Sequence, residues 1–468
     1  MSNSLLNTGS DHFDPFCLSI YESANDAQEW RKRIENIKHK INIKSDEVSL
    51  QDLQSQLTSI HEQDHFLRYS SSEIGLLLTF ISQLNCQLRF QYLKHEQDFS
   101  SRGLSLYKIL LESLYGNSDI TQEEAVWAFN VFFKKFSHAN KEIFFTKNPK
   151  AKATPEPFFG LNNILEASAV LTEMSFLETL DPELRNNNYN QFLHLNNRDK
   201  DLYFGIIAYM HPMVFYTSAM NSIVLFSLDV RVPFFGSPFI EPIDWEDFHP
   251  GYRLIFFTKS LAHHFSSVGY KDDWSRDPSI VYNYDFQKRI IDKLKYLGDE
   301  VGLYKMWDSP ELKSYPISTL QFVNRLNSKG RQLVEPSLSL WKPVFDHLFD
   351  SFQKMKDMKE KYHVAYFTNH ARFHSENIAA IPNLELDNYP YALFSNFNGK
   401  IDSYYDFVDK KLDIVLDRYF FNLVMQGYLK KIKKRRLKSH LIKNFHFGYQ
   451  DKTNILKPLI DRNINIFY

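Results

Sequence analysis

Apolar residues recur at three- and four-residue spacing along most of this chain, and almost nowhere do they alternate. That period belongs to a helix with one buried stripe, whereas a half-buried strand needs a period of two. The sequence therefore predicts a mainly α fold. Helices are expected over 24–40, 49–67, 104–115, 121–137, 160–179, 199–210 and 213–229, and again over 252–267, 284–297, 317–329, 338–361 and 404–432. One short strand is expected around 16–21, and no fixed-period repeat is present. Two helix starts carry a capping signature, an acceptor side chain followed three residues on by an acid: Ser49 with Asp52, and Ser70 with Glu73. The serine run Ser70-Ser71-Ser72 is thus expected to end one helix and open a long apolar one that reaches about Tyr92.

With 468 residues, 43% of them hydrophobic, the chain is long enough for more than one domain and buries a large core without cross-links. Pro233, Gly236, Pro238, Pro242 and Pro250 mark a long loop between Val232 and Gly251. The expected organisation is an N-terminal segment over 1–45, a helical domain over 46–235 and a second helical domain over 252–468. Cys17 and Cys86 are the only cysteines and lack metal-ligand spacing, which excludes a cysteine-held zinc and fits a reducing compartment. A formal charge of -1 supplies no general field for nucleic acid or an anionic membrane. The exception is local: Leu429 to Phe445 is rich in basic residues, Lys433-Lys434-Arg435-Arg436 among them, and reads as a solvated helix end. Apolar runs such as 74–81 and 223–228 are too short to span a bilayer, and Met1 to Phe16 lacks a secretory pattern. A cytoplasmic protein without a membrane partner is expected, although export by a signal-independent route remains compatible.

Chemistry concentrates at His61-Glu62-Gln63-Asp64-His65. Two histidines four residues apart on a helix project from one face a turn apart, so both imidazoles reach a single ion. The glutamate between them is offset by one position, near the ion without ligating it, where it can take a proton from an activated water and pass it to a leaving group. A catalytic zinc keeps three protein ligands and one open position. Glu166 is the preferred third ligand, because Ala167 and Ala169 leave room for close helix approach. Glu173, seven residues on and on the same face, is the alternative, or else a partner for a ligand histidine. His95 begins an incomplete copy of the motif, with Phe99 in place of the second histidine. His370 and His374 have the spacing but Ala371 where a base would stand, and His211, His249, His263 and His264 are expected to be structural. His211, Tyr209, Tyr216 and Tyr252 are candidates for a donor opposite the metal.

His61 to Leu67, then Ser71-Ser72 and Gly75, then a distant helix with Glu166-x-x-Ala169, resembles the zincin metallopeptidases. The likeness is to the branch whose third ligand is a glutamate, the gluzincins, and to bacterial members in which a Ser/Thr pair and a glycine follow the motif helix. The resemblance implies a zincin-like catalytic domain over 46–235, one Zn2+ held by His61, His65 and Glu166, Glu62 as general base, and a protein or peptide substrate. The rival expectation from the residues is a non-enzymatic helical scaffold or a nucleic-acid-associated protein that uses the basic stretch near 435.

Overall fold

The computed structural model describes residues 12–15, 19–21, 28–29, 50–72, 106–116, 120–135, 159–177, 197–214, 217–229, 245–268, 284–300, 392–397 and 400–403, with scattered positions between 74 and 85. Its helices are α1 (Leu50–Ser71), α2 (Leu106–Tyr115), α3 (Gln122–Lys135), α4 (Leu161–Leu177), α5 (Asn197–Met210), α6 (Thr217–Leu228), the single turn α7 (Trp245–Phe248), α8 (Pro250–Val268) and α9 (Tyr284–Glu300). The mainly α expectation holds. The helices expected over 317–329, 338–361 and 404–432, most of 24–40, and the basic stretch at 429–445 lie outside the described residues.

Four short strands add a small sheet: β1 (His12–Asp14), β2 (Ser19–Tyr21), β3 (Ala392–Phe397) and β4 (Lys400–Ser403). The order is β1-β2-β3-β4, with β1 antiparallel to β2, β2 parallel to β3 and β3 antiparallel to β4. The sheet lies beside α1, where Phe13 meets Phe66 and Tyr69 edge-on at 6.1 and 5.9 Å between ring centroids.

Helix α4 is the hub, packed against α1, α2, α5, α6 and α8. Its sequence explains why: Leu161, Ile164, Ala167, Ser168, Ala169, Val170 and Leu171 cover every side of the helix and all are buried. A helix apolar or small all round has no solvent face to lose and belongs in the interior. Helix α6 is its neighbour and is buried from Ser218 to Leu228. Its serines Ser222 and Ser227 return their hydroxyls to the carbonyls of Ser218 and Val224, so the polar atoms travel inward already paired. Helices α8 and α9 pack on α6.

The serine corner differs from the expected one. Helix α1 runs through Ser70 and Ser71, whose hydroxyls bond back to the carbonyls of Phe66 and Leu67 instead of opening a new helix. The cap falls on Ser72, whose Oγ accepts the Gly75 N–H at 3.2 Å and donates to the Tyr69 carbonyl. Gly75 is required there, since a Cβ would stand 1.9 Å from the Tyr69 oxygen. A full capping box does occur at α3, where Thr121 Oγ1 accepts the Glu124 N–H and the Glu124 carboxylate accepts the Thr121 N–H.

Helix α4 is fixed at its start by close backbone contact. Gly116 ends α2 at φ +88°, a conformation that disfavours side chains, and a Cβ on Gly160 would lie 2.3 Å from the Gly116 Cα. A buried histidine secures the same region. His249 donates from Nε2 to the Ser113 carbonyl at the end of α2, while its Nδ1 accepts the Gly251 N–H in the first turn of α8. Pro250 stands at the first helical position, where its missing N–H costs nothing.

An imidazole that accepts at one nitrogen and donates at the other is neutral. Burial pushes the His249 pKa down to about 4, against the smaller opposing effect of the Ser113 carbonyl. In the unfolded chain it returns to about 6.5. Between those values the unfolded state binds a proton that the folded state refuses, so stability is full above the window and falls as pH drops through it. At about 1.4 kcal/mol per pH unit, the loss between pH 7 and pH 4.5 from this group alone is about 2 kcal/mol. Urea titrations at the two pH values should therefore show a drop smaller by about that amount in His249→Gln than in the parent chain. Equal drops would count against the assignment.

Candidate metal centre

Helices α1 and α4 bring the motif and both downstream glutamates to one place. His61 and His65, a turn apart on α1, direct Nε2 at the same atom, Glu166 Oε2 of α4, at 3.1 and 3.4 Å. Their rings stand nearly perpendicular, 87° apart in plane and 4.6 Å between centroids. The other nitrogen of His61, Nδ1, meets Glu173 Oε1 at 2.5 Å. Glu62 joins the group: a carboxylate oxygen of Glu62 and ring nitrogens of His61 and His65 all lie within 4.8 Å of one another, a cluster able to hold a metal ion.

The motif does not lie on a solvated face. Glu62 and His65 are buried, and so is every α1 residue from Asp64 to Ser71. The reason is that polar α1 residues find polar partners on α4. Beside the histidines and glutamates, Asp64 Oδ1 accepts from Arg68 Nε at 3.0 Å and from Thr172 Oγ1 at 2.9 Å. The fully buried Ala169, between Glu166 and Glu173 on that face of α4, offers little bulk to hold the helices apart.

The electrostatics call for a positive charge. Burial disfavours charging His61, yet the charge of Glu173, hydrogen bonds to Glu166 and Glu173 and the charge of Glu62 outweigh it and raise its pKa well above the ordinary value. Burial likewise favours a neutral Glu166, but the His65 charge, hydrogen bonds from His61 and His65 and the His61 charge hold it ionised far below the usual carboxylate range. Three carboxylates gathered in a largely buried place are costly unless a cation balances them.

The donor set is compatible with a bound metal ion. Around a tetrahedral ion at 2.0–2.1 Å, neighbouring ligand atoms lie about 3.3 Å apart, and Glu166 Oε2 stands 3.1 and 3.4 Å from the two histidine nitrogens. Imidazole and carboxylate are both ordinary zinc ligands. Glu173 sits on the far nitrogen of His61, where a hydrogen-bonded carboxylate fixes tautomer and ring orientation. His65 has no such support among the described residues, its buried Nδ1 making no hydrogen bond there.

The other candidates are elsewhere. His211 is exposed, Tyr209 packs on Phe159, and Tyr252 lies against His249. Tyr216, His95, His370 and His374 fall outside the described residues. His249 is a buried structural histidine, as expected, and His263 is exposed on α8. Among the described residues Tyr203 of α5 reaches the cluster, its ring edge-on to His61 at 6.0 Å between centroids. Sequence reasoning passed over it because nothing in the helical spacing of α5 separates Tyr203 from Tyr209. No helix of the described residues is long and apolar enough to cross a membrane. No protein-family model, no curated protein and no solved structure matches the chain.

Proposed function

We propose that the chain is a zinc-dependent hydrolase that cleaves peptide bonds, with His61, His65 and Glu166 as metal ligands and Glu62 as general base. The observation that carries the reading is the convergence of both histidine Nε2 atoms on Glu166 Oε2 at the edge lengths of a tetrahedral site. Zinc bound there supplies Lewis-acid polarisation and lowers the pKa of a water. Glu62, offset by one residue from His61, takes the proton from the attacking water and delivers it to the leaving amine. Glu173 holds His61 in the tautomer that presents Nε2 to the site. Tyr203 borders His61 with its ring edge-on. The choice of a peptide over another amide rests on the resemblance of the motif and its flanks to gluzincins.

The test is removal and return of metal. Hydrolysis of an unfolded protein such as casein should cease after chelation and resume on addition of equimolar zinc. Hydrolysis that survives exhaustive chelation would remove the metal from the mechanism. Chelator-insensitive binding to RNA or DNA without hydrolysis would favour the scaffold alternative.

A further inference from the structure

Asp64, Arg68 and Thr172 form a buried polar network that the hydrolytic steps do not use. Asp64 and Arg68 have fully buried side chains, and Thr172 is 1% exposed. Asp64 Oδ1 accepts from Arg68 Nε at 3.0 Å, one turn on in α1, and from Thr172 Oγ1 at 2.9 Å, across the interface in α4. An ion pair buried this deeply costs desolvation that its own attraction only roughly offsets, so its best-attested use is to select one register over others.

We infer that this network is a positioning device that sets the register of α1 against α4 and so brings the two metal-ligand histidines onto Glu166. Asp64 precedes His65, and Thr172 precedes Glu173. The Asp64–Thr172 bond therefore ties the two helices along a line immediately beside the one on which His61 meets Glu166 and Glu173. A slip of one residue moves a helix by about 1.5 Å and turns it by about 100°. That would part Asp64 from Thr172 and carry both histidines away from Glu166. Apolar contacts alone specify the register weakly here, because the residue between Glu166 and Glu173 on this face of α4 is Ala169, which interlocks little. The hydroxyl of Thr172 is neutral and links the network across to α4.

The proposal rests on the metal-site reading, and the experiment separates the two. Zinc affinity of the full chain is measured by competition with a chromogenic chelator, beside thermal unfolding and circular dichroism of the metal-free protein. Thr172→Val keeps the shape and removes the donor, and Thr172→Ser keeps the donor. Thr172→Val should weaken zinc binding about 10-fold or more, the range found for groups that orient ligands, with the helix content of the metal-free protein retained. Thr172→Ser should bind within about 2-fold of the parent chain. If Thr172→Val does not fold, Thr172→Ala is read in the same way. Unchanged affinity in the Val and Ala variants, or a failure of Ser to restore it, overturns the positioning role. A parent chain that takes up no zinc overturns the metal-site reading and the proposal with it.

Discussion

Glu62→Gln should leave about one zinc per chain in place and lower hydrolysis of casein by about 10²–10⁴-fold, the usual contribution of a positioned general base. The substitution keeps the volume of a buried side chain and removes its charge and its ability to take a proton. Because Glu62 lies beside the ligand atoms, a drop in activity has two possible sources, lost metal or lost base. Metal content measured on the same sample separates them. Retained metal with lost turnover is the expected pattern, and turnover within a few-fold of the parent chain would assign the base elsewhere.

Arg253→Met should destabilise the fold by about 3 kcal/mol or more, measured as a shift in the urea midpoint with little change in slope. Arg253 of α8 is 1% exposed and spends its guanidinium on the end of α6. Nε donates to the Ser227 carbonyl at 3.2 Å, and Nη2 donates to the carbonyls of Phe226 at 2.9 Å and Asp229 at 2.6 Å. The last carbonyls of a helix lack partners within it and carry its negative dipole end, so a buried cation there answers both needs. The guanidinium also lies 5.7 Å from the centroid of the Phe257 ring. Methionine preserves the apolar stem and removes a donor from each of three carbonyls, at about 1–3 kcal/mol for each buried group left short. Arg253→Lys should recover only part of the loss, since an ammonium lacks the planar fork. A loss below about 1 kcal/mol for the methionine variant would mean that water or the backbone replaces the arginine.

The helices were legible because their cause is local. Apolar spacing placed α2, α4 and α9 within a few residues of their observed ends, and the motif announced itself by residue type at fixed spacing. The serine corner was misplaced by two residues because a serine after a helix can cap forward or bond backward, and only the approach of Gly75 to Tyr69 selects Ser72. Of the sheet only β2 was foreseen, within the strand expected over 16–21. The three-residue β1 is too short to show alternation, and β2 finds its parallel partner β3 more than 370 residues downstream. One local clue was available: Phe397 pairs with Lys400 across Asn398-Gly399, the dipeptide that two-residue hairpin loops prefer.

At the site, sequence supplied His61, Glu62 and His65, and left Glu166 and Glu173 as rivals on one face of a helix. Periodicity could not divide their work, because residues seven apart project alike. The folded arrangement gives them different nitrogens of the same imidazole, Nε2 for Glu166 and Nδ1 for Glu173. The buried state of the motif helix was equally hidden. Charge alone does not place Asp64 and Arg68 in the interior; the bond to Thr172 across the interface does.

Metal content and affinity of the parent chain beside Glu166→Ala and Glu173→Ala bear most directly on this centre. The parent chain should hold about one zinc after gel filtration, Glu166→Ala should lose it, and Glu173→Ala should keep it with affinity weakened about 10–100-fold. A parent chain without zinc, or a Glu166→Ala variant that binds it as tightly as the parent, would contradict the assignment.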